Sequence, residues 1–156
     1  MPPYRVRQLE SVSELRALAP AWDRLWERSG VSLPTARAEL VAQWTEQFAP
    51  RSFRALVVEH GGELIAALPL AGRRVRRLLP VGDLTSNCWM ACGELLADRS
   101  VDSAALAALL HTSGRLSWPL LWLDLVPFEA PRWARFVAAA REAGIPCHVH
   151  PRYRVG

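Results

Sequence analysis

The chain has 156 residues, of which 51% are hydrophobic and 22% charged, a composition typical of a folded globular domain rather than a disordered segment. Its net charge of +4 arises from 19 basic residues, all arginine, against 15 acidic ones, and an arginine-rich coding bias produces such a balance without a polyanionic partner. The first ten residues lack the apolar core of a signal peptide, and the most apolar stretch, 116–126, is too short to span a membrane, so the sequence predicts one cytoplasmic domain without a membrane span.

The amino-terminal segment predicts one strand followed by helices. Apolar residues alternate with polar ones over 4–9, which indicates a short strand. A helix follows, because Ser11 and Glu14 have the spacing of a capping box. Pro20 suits the first turn of a second helical piece, and Gly30 is placed to end it.

A third helix and a β-hairpin come next. Pro34 introduces the helix, whose apolar face is formed at spacings of three and four by Val41, Trp44 and Phe48. The apolar runs 53–59 and 64–70 are separated by a turn over 60–63 that contains two glycines, which predicts a hairpin. Residues 75–81 are predicted as a third strand, and 82–100 give no assignable element.

The next segment predicts a helix and then the central strand of the sheet. Asp102 or Ser103 can cap the helix, which Gly114 ends. Residues 120–126 are apolar on both alternating faces apart from Asp124, a pattern typical of a strand that is covered on both sides. We therefore expect a mixed sheet of about six or seven strands with this segment at its centre.

The carboxy-terminal segment predicts a last helix and one or two terminal strands. Pro131 suits the first turn of the helix and Gly144 its end, and residues 147–150 and 153–155 are predicted as strands. The predicted core residues are Leu25, Trp44, Val57, Ile65, Leu109, Leu123 and Phe136.

This order of elements, β-α-α-β-β-β-α-β-α-β(-β), resembles the GNAT acyltransferase fold, an α/β fold whose mixed sheet carries helices on both faces. The amino-acid sequence of residues 18–25 and 55–70 is similar to that of the amino-terminal half of the tandem GNAT proteins described as acetyltransferases involved in cellulose biosynthesis. Residues 122–127 and the turn at 143–146 are similar too. The resemblance implies that residues 1–156 form a single GNAT-like domain, the amino-terminal half of a longer two-domain protein.

The resemblance also implies a function, acyl transfer from acyl-CoA to an amine in exopolysaccharide or envelope metabolism, with acetyl-CoA as cofactor. In active GNAT enzymes the CoA diphosphate is held by an Arg or Gln followed by a Gly-x-Gly or Gly-x-Ala turn into a helix, and this sequence lacks that motif. The nearest match, 79–83, has one glycine beside Asp83. We therefore expect this half alone to bind acetyl-CoA weakly or not at all. The alternative is a non-catalytic module that packs against a catalytic half or against a second copy.

Small polar residues beside an indole mark a candidate pocket, and no periodic pattern accounts for them. They are Asp83, Thr85, Ser86, Asn87 and Trp89. The carboxylate could act as an acid or base and the indole could contact a ligand, whereas ordinary turn chemistry explains Asp, Ser and Asn equally well. A small-molecule or glycan acceptor is the ligand class that the resemblance implies.

Four arginines form the densest charge cluster: Arg73, Arg74, Arg76 and Arg77. Guanidinium groups bind oxyanions in pairs of hydrogen bonds, so the cluster is a candidate anion-binding site. A solvated strand edge protected from aggregation by charge explains it as well. On a strand, Arg74 and Arg76 would share one face and the other two the opposite face, and a nucleic-acid partner is not predicted because interleaved exposed aromatic residues are lacking.

The three cysteines are an odd number and are predicted to be free thiols in a reducing compartment. Cys88, Cys92 and Cys147 could combine with His148 and His150 as zinc ligands, but on a strand Cys147 would point away from both histidines, so no metal is predicted.

A domain that lacks its second half should retain an apolar face for that half or for a second copy. We expect this face on the terminal strands and on the helix with Trp133 and Phe136.

Overall fold

The computed structural model describes residues 4–152 and contains a five-stranded antiparallel sheet. Four strands are hydrogen-bonded in chain order: β1 (Arg5–Leu9), β2 (Phe53–His60), β3 (Glu63–Val75) and β4 (Leu79–Leu84). A two-residue strand, β5 (Leu96–Ala97), pairs with β3. The sheet is therefore smaller than the six or seven strands that the sequence predicts.

Five helices cover the two faces of the sheet: α1 (Val12–Ala17), α2 (Ala19–Ser29), α3 (Ala38–Phe48), α4 (Ser103–Ser113) and α5 (Pro131–Glu142). Helices α1 to α3 pack on the face that carries Ala55, Val57 and Ala67. Helices α4 and α5 pack on the opposite face, with Leu56 and Val58. The predicted arrangement of helices on both faces is confirmed. In the part of the chain that is described, no helix is long and apolar enough to cross a membrane.

Local sequence signals account for most of the boundaries. The Ser11 side chain accepts a hydrogen bond from the Glu14 amide while the Glu14 carboxylate accepts one from the Ser11 amide, so the capping box is confirmed. Helix α2 ends at Gly30, whose φ is 71°. In the hairpin turn Gly61 and Gly62 have φ values of 58° and 85°, which residues with a Cβ rarely adopt.

The third predicted strand has the wrong boundaries. Strand β3 continues to Val75, and β4 begins only at Leu79. The turn between them is closed by a hydrogen bond from the Leu78 amide to the Val75 carbonyl, and its two central residues, Arg76 and Arg77, have φ values of 50° and 63°. Positive φ at both positions is what a tight two-residue hairpin turn requires.

The prediction of a central strand over 120–126 is wrong. The segment makes one parallel bridge to β4, through hydrogen bonds from the Gly82 amide to the Leu120 carbonyl (3.1 Å) and from the Trp122 amide to the Gly82 carbonyl (2.8 Å). No strand of residues 4–152 pairs with its outer side, so it lies at the sheet edge and Leu125 is 60% exposed.

The first of the predicted terminal strands is not formed. Residues 147–150 form no strand, and 153–155 lie outside the described residues. Of the predicted core, Ile65 and Leu123 are only partly buried. Leu123 belongs to the segment at the sheet edge, and Ile65 lies at the irregularity in the pairing of β2 with β3, where Val58 pairs with Ala66 and Glu59 with Leu64. The other predicted core residues are buried, namely Leu25, Trp44, Val57, Leu109 and Phe136.

Two glycines face each other across β3 and β4, and the indole of Trp118 lies over both. A Cβ at Gly72 would lie 2.8 Å from Trp118 Nε1, and one at Gly82 would overlap the Trp118 ring and lie 2.8 Å from Leu121 Cδ2. The absence of side chains at this pair lets the 118–122 segment approach the sheet.

Replacing Gly82 with alanine should therefore displace Trp118 and lower the free energy of unfolding by about 1–3 kcal/mol, the usual cost of overpacking. Urea denaturation followed by tryptophan fluorescence measures this cost. Gly114→Ala is the matched control, because a Cβ there meets only the His111 carbonyl oxygen at 3.5 Å and the residue has a helical φ of −66°. Equal stability of Gly82→Ala and Gly114→Ala would contradict the close approach of Trp118.

Candidate functional site

The structure brings together three of the five residues of the predicted pocket. Asp83, Ser86 and Asn87 line a cavity of about 210 Å³ at the end of β4. Thr85 is fully buried beside Gly93 and does not line it. Trp89 is 90% exposed and does not line it either, so its predicted role as the ligand-contacting indole finds no support in this cavity.

The rest of the cavity wall comes from α3 and from the end of β3, whose contributions include Trp44, Phe48 and Arg73. The Trp44 indole is buried, and its Nε1 donates to no acceptor among the described residues. The cavity wall thus combines two aromatic rings with a guanidinium, a carboxylate and an amide. Such a wall suits a small polar molecule that carries hydroxyl or amine groups. Sequence analysis placed Trp44 in the core, and only its tertiary position shows that it also borders this cavity.

Asp83 is the most constrained charged group at the cavity. Its Oδ2 lies 2.6 Å from Arg73 Nε, and its Oδ1 accepts hydrogen bonds from the amides of Leu84 (2.8 Å) and Asp124 (3.1 Å). Burial raises the pKa of this carboxyl, and the amide of Asp124 and the charge of Arg73 oppose that rise. A buried carboxyl with a raised pKa can serve as an acid or base, but here the contacts with Arg73 and with the Asp124 amide also join β4 to neighbouring segments.

The ion pairs continue away from Asp83. Asp124 lies 4.0 Å from Arg73 Nη2 and accepts a hydrogen bond from Arg152 at 2.9 Å. Alternating charges thus connect β3, β4, residues 120–126 (called the edge segment below) and the chain near residue 152. In the sequence Asp124 is the charged residue that interrupts an apolar run. Its pairing with Arg73 and Arg152 could not be predicted from that pattern.

The turn that follows the cavity is held by its own hydrogen bonds. Asn87 Oδ1 accepts from the amides of Trp89 (2.9 Å) and Met90 (2.8 Å), and the Thr35 hydroxyl donates to the Ala91 carbonyl. The Asn87 side-chain oxygen therefore stabilises the turn, as the alternative explanation by ordinary turn chemistry predicts.

The arginine cluster does not act as one group. Arg73 is bound to Asp83, whereas Arg74, Arg76 and Arg77 are exposed and make no ion pair with the residues that the structure describes. The strand alternation predicted for them ends at Val75, because Arg76 and Arg77 lie in the turn.

Residues 98–102 join β5 to α4 and contain two carboxylates that already have hydrogen-bond partners. Asp102 caps α4 by accepting from the Ala105 amide at 2.8 Å and also accepts from the Tyr4 hydroxyl at 2.5 Å. Asp98 accepts from the amide and the hydroxyl of Ser100 and pairs with Arg28 at 2.8 Å.

These carboxylates do not fit a CoA diphosphate. The Tyr4 hydrogen bond lowers the pKa of Asp102, and the Ser100 amide lowers that of Asp98, so both are ionised at neutral pH. The segment 98–102 also contains no glycine through which the backbone could approach a phosphate. The segment 79–83, the nearest match in the sequence, belongs to β4 and enters no helix, so it is not such a turn.

A larger groove of about 1390 Å³ opens on the other side of the edge segment. It is lined by the end of α4, by α5 and by residues 116–129 and 145–150. The prediction that Trp133 and Phe136 form the exposed apolar face is wrong, because both rings are buried. Leu120 and Leu125 are the large apolar side chains that stay exposed along this groove.

The cysteines differ in accessibility. Cys88 and Cys147 are exposed, Cys92 is buried, and burial raises the pKa of the Cys92 thiol to about 11. Residues 4–152 contain no group of three or more His, Cys, Asp or Glu side chains placed to hold a metal ion.

Two thiols should therefore react quickly with Ellman's reagent at neutral pH, and Cys92 should react only after unfolding. The Cys92→Ala variant is the matched control and should show the same fast reaction. Three fast thiols in the native protein would contradict the burial of Cys92.

Comparison with solved structures identifies similar folds. A probable acetyltransferase is 11% identical, with a TM-score of 0.58 and 97% of each chain covered. The aminoglycoside N-acetyltransferase AAC(6')-Iy in complex with CoA is 10% identical, with a TM-score of 0.54 and coverage of 98% of this chain and 94% of that chain. A glucosamine-6-phosphate N-acetyltransferase from Arabidopsis thaliana is 13% identical, with a TM-score of 0.50 and 97% of each chain covered.

These similarities show the fold. The chain has the α/β fold of GNAT acetyltransferases, as its sequence predicts, and the match extends over nearly its whole length. No protein-family model and no curated protein matches the sequence.

Proposed function

We propose that the protein is a GNAT-like domain that serves acyl transfer from acyl-CoA to an amine as the acceptor-side half, with the cofactor held by a second GNAT-like half. The single observation that carries this proposal is that carboxylates accept the hydrogen bonds at the start of α4, Asp102 from the Ala105 amide and Asp98 from the Ser100 amide. Negative charge at this helix start repels a diphosphate.

The cavity at the end of β4 supports the acceptor-side role. Its wall combines the Trp44 and Phe48 rings with Asp83, Arg73 and Asn87. Hydroxyl and amine groups of an acceptor such as an amino sugar can pair with these polar groups while the ring faces pack on its apolar side.

The second half is proposed to dock along the groove beside the edge segment, either from the same polypeptide or as a separate subunit. Leu120 and Leu125 are the exposed apolar side chains there, and the outer side of residues 120–126 pairs with no strand of the described chain. A second copy of this chain is the other occupant that the groove could take. The extension to exopolysaccharide or envelope metabolism is supported by the sequence resemblance to the cellulose-associated family alone.

Isothermal titration with acetyl-CoA tests the missing diphosphate site. We expect no saturable binding by the unchanged chain at micromolar cofactor concentrations. Asp102→Ser is the matched variant, because serine still caps α4 but removes the charge. Tighter binding by this variant would show that the carboxylate excludes the diphosphate.

Micromolar binding by the unchanged chain would overturn the proposal and favour the second candidate, an acyltransferase complete in itself. The observation that favours this candidate is Asp83, a buried carboxyl whose raised pKa and position at the cavity suit a general base. In that case Asp83→Asn should abolish turnover of acetyl-CoA in the presence of an amine while leaving the binding heat unchanged.

A further inference from the structure

Strands β3 and β4 extend together beyond the rest of the sheet. The last pair between β2 and β3 is Phe53 with Ala71, whereas β3 and β4 stay paired as far as Val75 with Leu79. Residues 73–80 therefore form a two-stranded projection, called the arm here, that ends in the turn at Arg76 and Arg77.

The arm carries unbalanced positive charge. Arg74, Arg76 and Arg77 are exposed, and none of them pairs with an acidic group within residues 4–152. Arg73 is turned to Asp83, and no acidic residue lies between 73 and 80. Three guanidinium groups are thus free to bind an anion outside the chain.

Apolar side chains lie at the same tip. Leu78 is 81% exposed and Leu79 is 39% exposed, directly after the two turn arginines. A solvated edge protected by charge explains the arginines, and the two adjacent leucines add apolar surface directly beside that charge.

The turn itself has an unfavourable sequence. Arg76 and Arg77 have φ values of 50° and 63°, in the region that asparagine and glycine occupy most easily. Nothing among the described residues packs on the tip to compensate for this, since residues 76–80 are all exposed. Strained backbone at an exposed position points to a function of the side chains that are held there.

We propose that the arm docks the protein on an anionic lipid surface. The guanidinium groups of Arg74, Arg76 and Arg77 bind the phosphates of lipid headgroups, and Leu78 enters the boundary between headgroups and acyl chains. A nucleic acid also offers phosphates, but it gives an aliphatic side chain no apolar medium, and the arm has no aromatic ring to stack on bases. This inference is independent of the proposed acyl-transfer role.

Vesicle sedimentation tests the proposal with the full chain. We expect binding to vesicles of equal parts phosphatidylcholine and phosphatidylglycerol, no binding to phosphatidylcholine alone, and weaker binding as salt increases. The double variant Arg76→Asn, Arg77→Gly should lower the ratio of bound to free protein by about thirtyfold. Its thermal unfolding midpoint should be unchanged or higher, because the new turn residues suit positive φ.

Two further variants separate the contribution of the apolar side chain from that of charge and test whether the position of the charge matters. Leu78→Ser leaves the charge unchanged and should lower the bound-to-free ratio by about tenfold. The double variant Arg24→Gln, Arg141→Gln removes the same charge from exposed helical positions away from the arm and should bind as the unchanged protein does.

Three results would overturn the inference. The first is that the unchanged protein does not sediment with anionic vesicles. The second is an equal loss of binding in the Arg24, Arg141 variant, which would indicate a diffuse charge effect. The third is arm-dependent binding to a duplex DNA oligonucleotide without vesicle binding, which would make a nucleic acid the occupant.

Discussion

Replacing Glu94 with alanine should lower the free energy of unfolding by about 3–5 kcal/mol, the cost of breaking a buried ion pair from one side. Glu94 Oε2 accepts from Arg132 Nη2 at 2.8 Å, and Oε1 accepts from Trp133 Nε1 at 2.7 Å and from the Leu95 amide at 2.8 Å. The two charged side chains are only 9% and 15% exposed. Removal of the carboxylate therefore leaves a buried cation and two buried donors without their acceptor, and urea denaturation measures the loss.

An exposed ion pair supplies the matched control. Glu39 pairs with Arg16 at 3.0 Å, but its side chain is 55% exposed, so Glu39→Ala should lower the free energy of unfolding far less than Glu94→Ala does. Glu94→Gln should fall between the two alanine variants, because the amide oxygen can still accept from Trp133 while the charge on Arg132 loses its partner. Similar stabilities of Glu94→Ala and Glu39→Ala would contradict the role of Glu94 in holding α5 against the sheet.

Replacing Asp83 with alanine should lower the free energy of unfolding by about 2–4 kcal/mol. The change leaves the amides of Leu84 and Asp124 without their acceptor, and each orphaned donor costs about 1–3 kcal/mol. Asp83→Asn keeps a carbonyl oxygen that can accept from both amides and removes only the charge. Comparing the stabilities of Asp83→Asn and Asp83→Ala therefore separates the contribution of the hydrogen bonds from that of the charge.

The pH dependence of stability reports the direction of the Asp83 shift. Because burial raises its pKa in the folded protein, the folded chain binds the proton more tightly than the unfolded chain. The stability of the unchanged protein relative to Asp83→Asn should therefore fall as pH rises from about 4, the ordinary aspartate value, through the raised pKa. Urea titrations at a series of pH values measure this difference. A relative stability that rises with pH would show that Arg73 outweighs burial.

Local chemistry in the sequence determined most of the elements. Ser11 with Glu14, Gly30, the glycines of the 60–63 turn and Asp102 act on their own neighbours, so their effects on the backbone can be predicted without knowing the fold. The element order that they define was enough to predict helices on both faces of a sheet and the GNAT-like fold. The Asn87 turn likewise follows from one side chain and its nearest amides.

Long-range partners decided the rest, because they depend on which segments meet. The apolar pattern of 120–126 predicts a central strand, yet in the structure the segment has a strand on one side only. A local sequence pattern does not reveal how many strands will pair with a segment. The same holds for the candidate site. Asp83 was identified from its loop, but its pairing with Arg73 and Asp124, the place of Trp44 on the cavity wall and the contact of Glu94 with α5 join residues far apart in the chain. Only the tertiary structure decides such contacts, because their energies come from burial and charge pairing across the fold rather than from backbone preference.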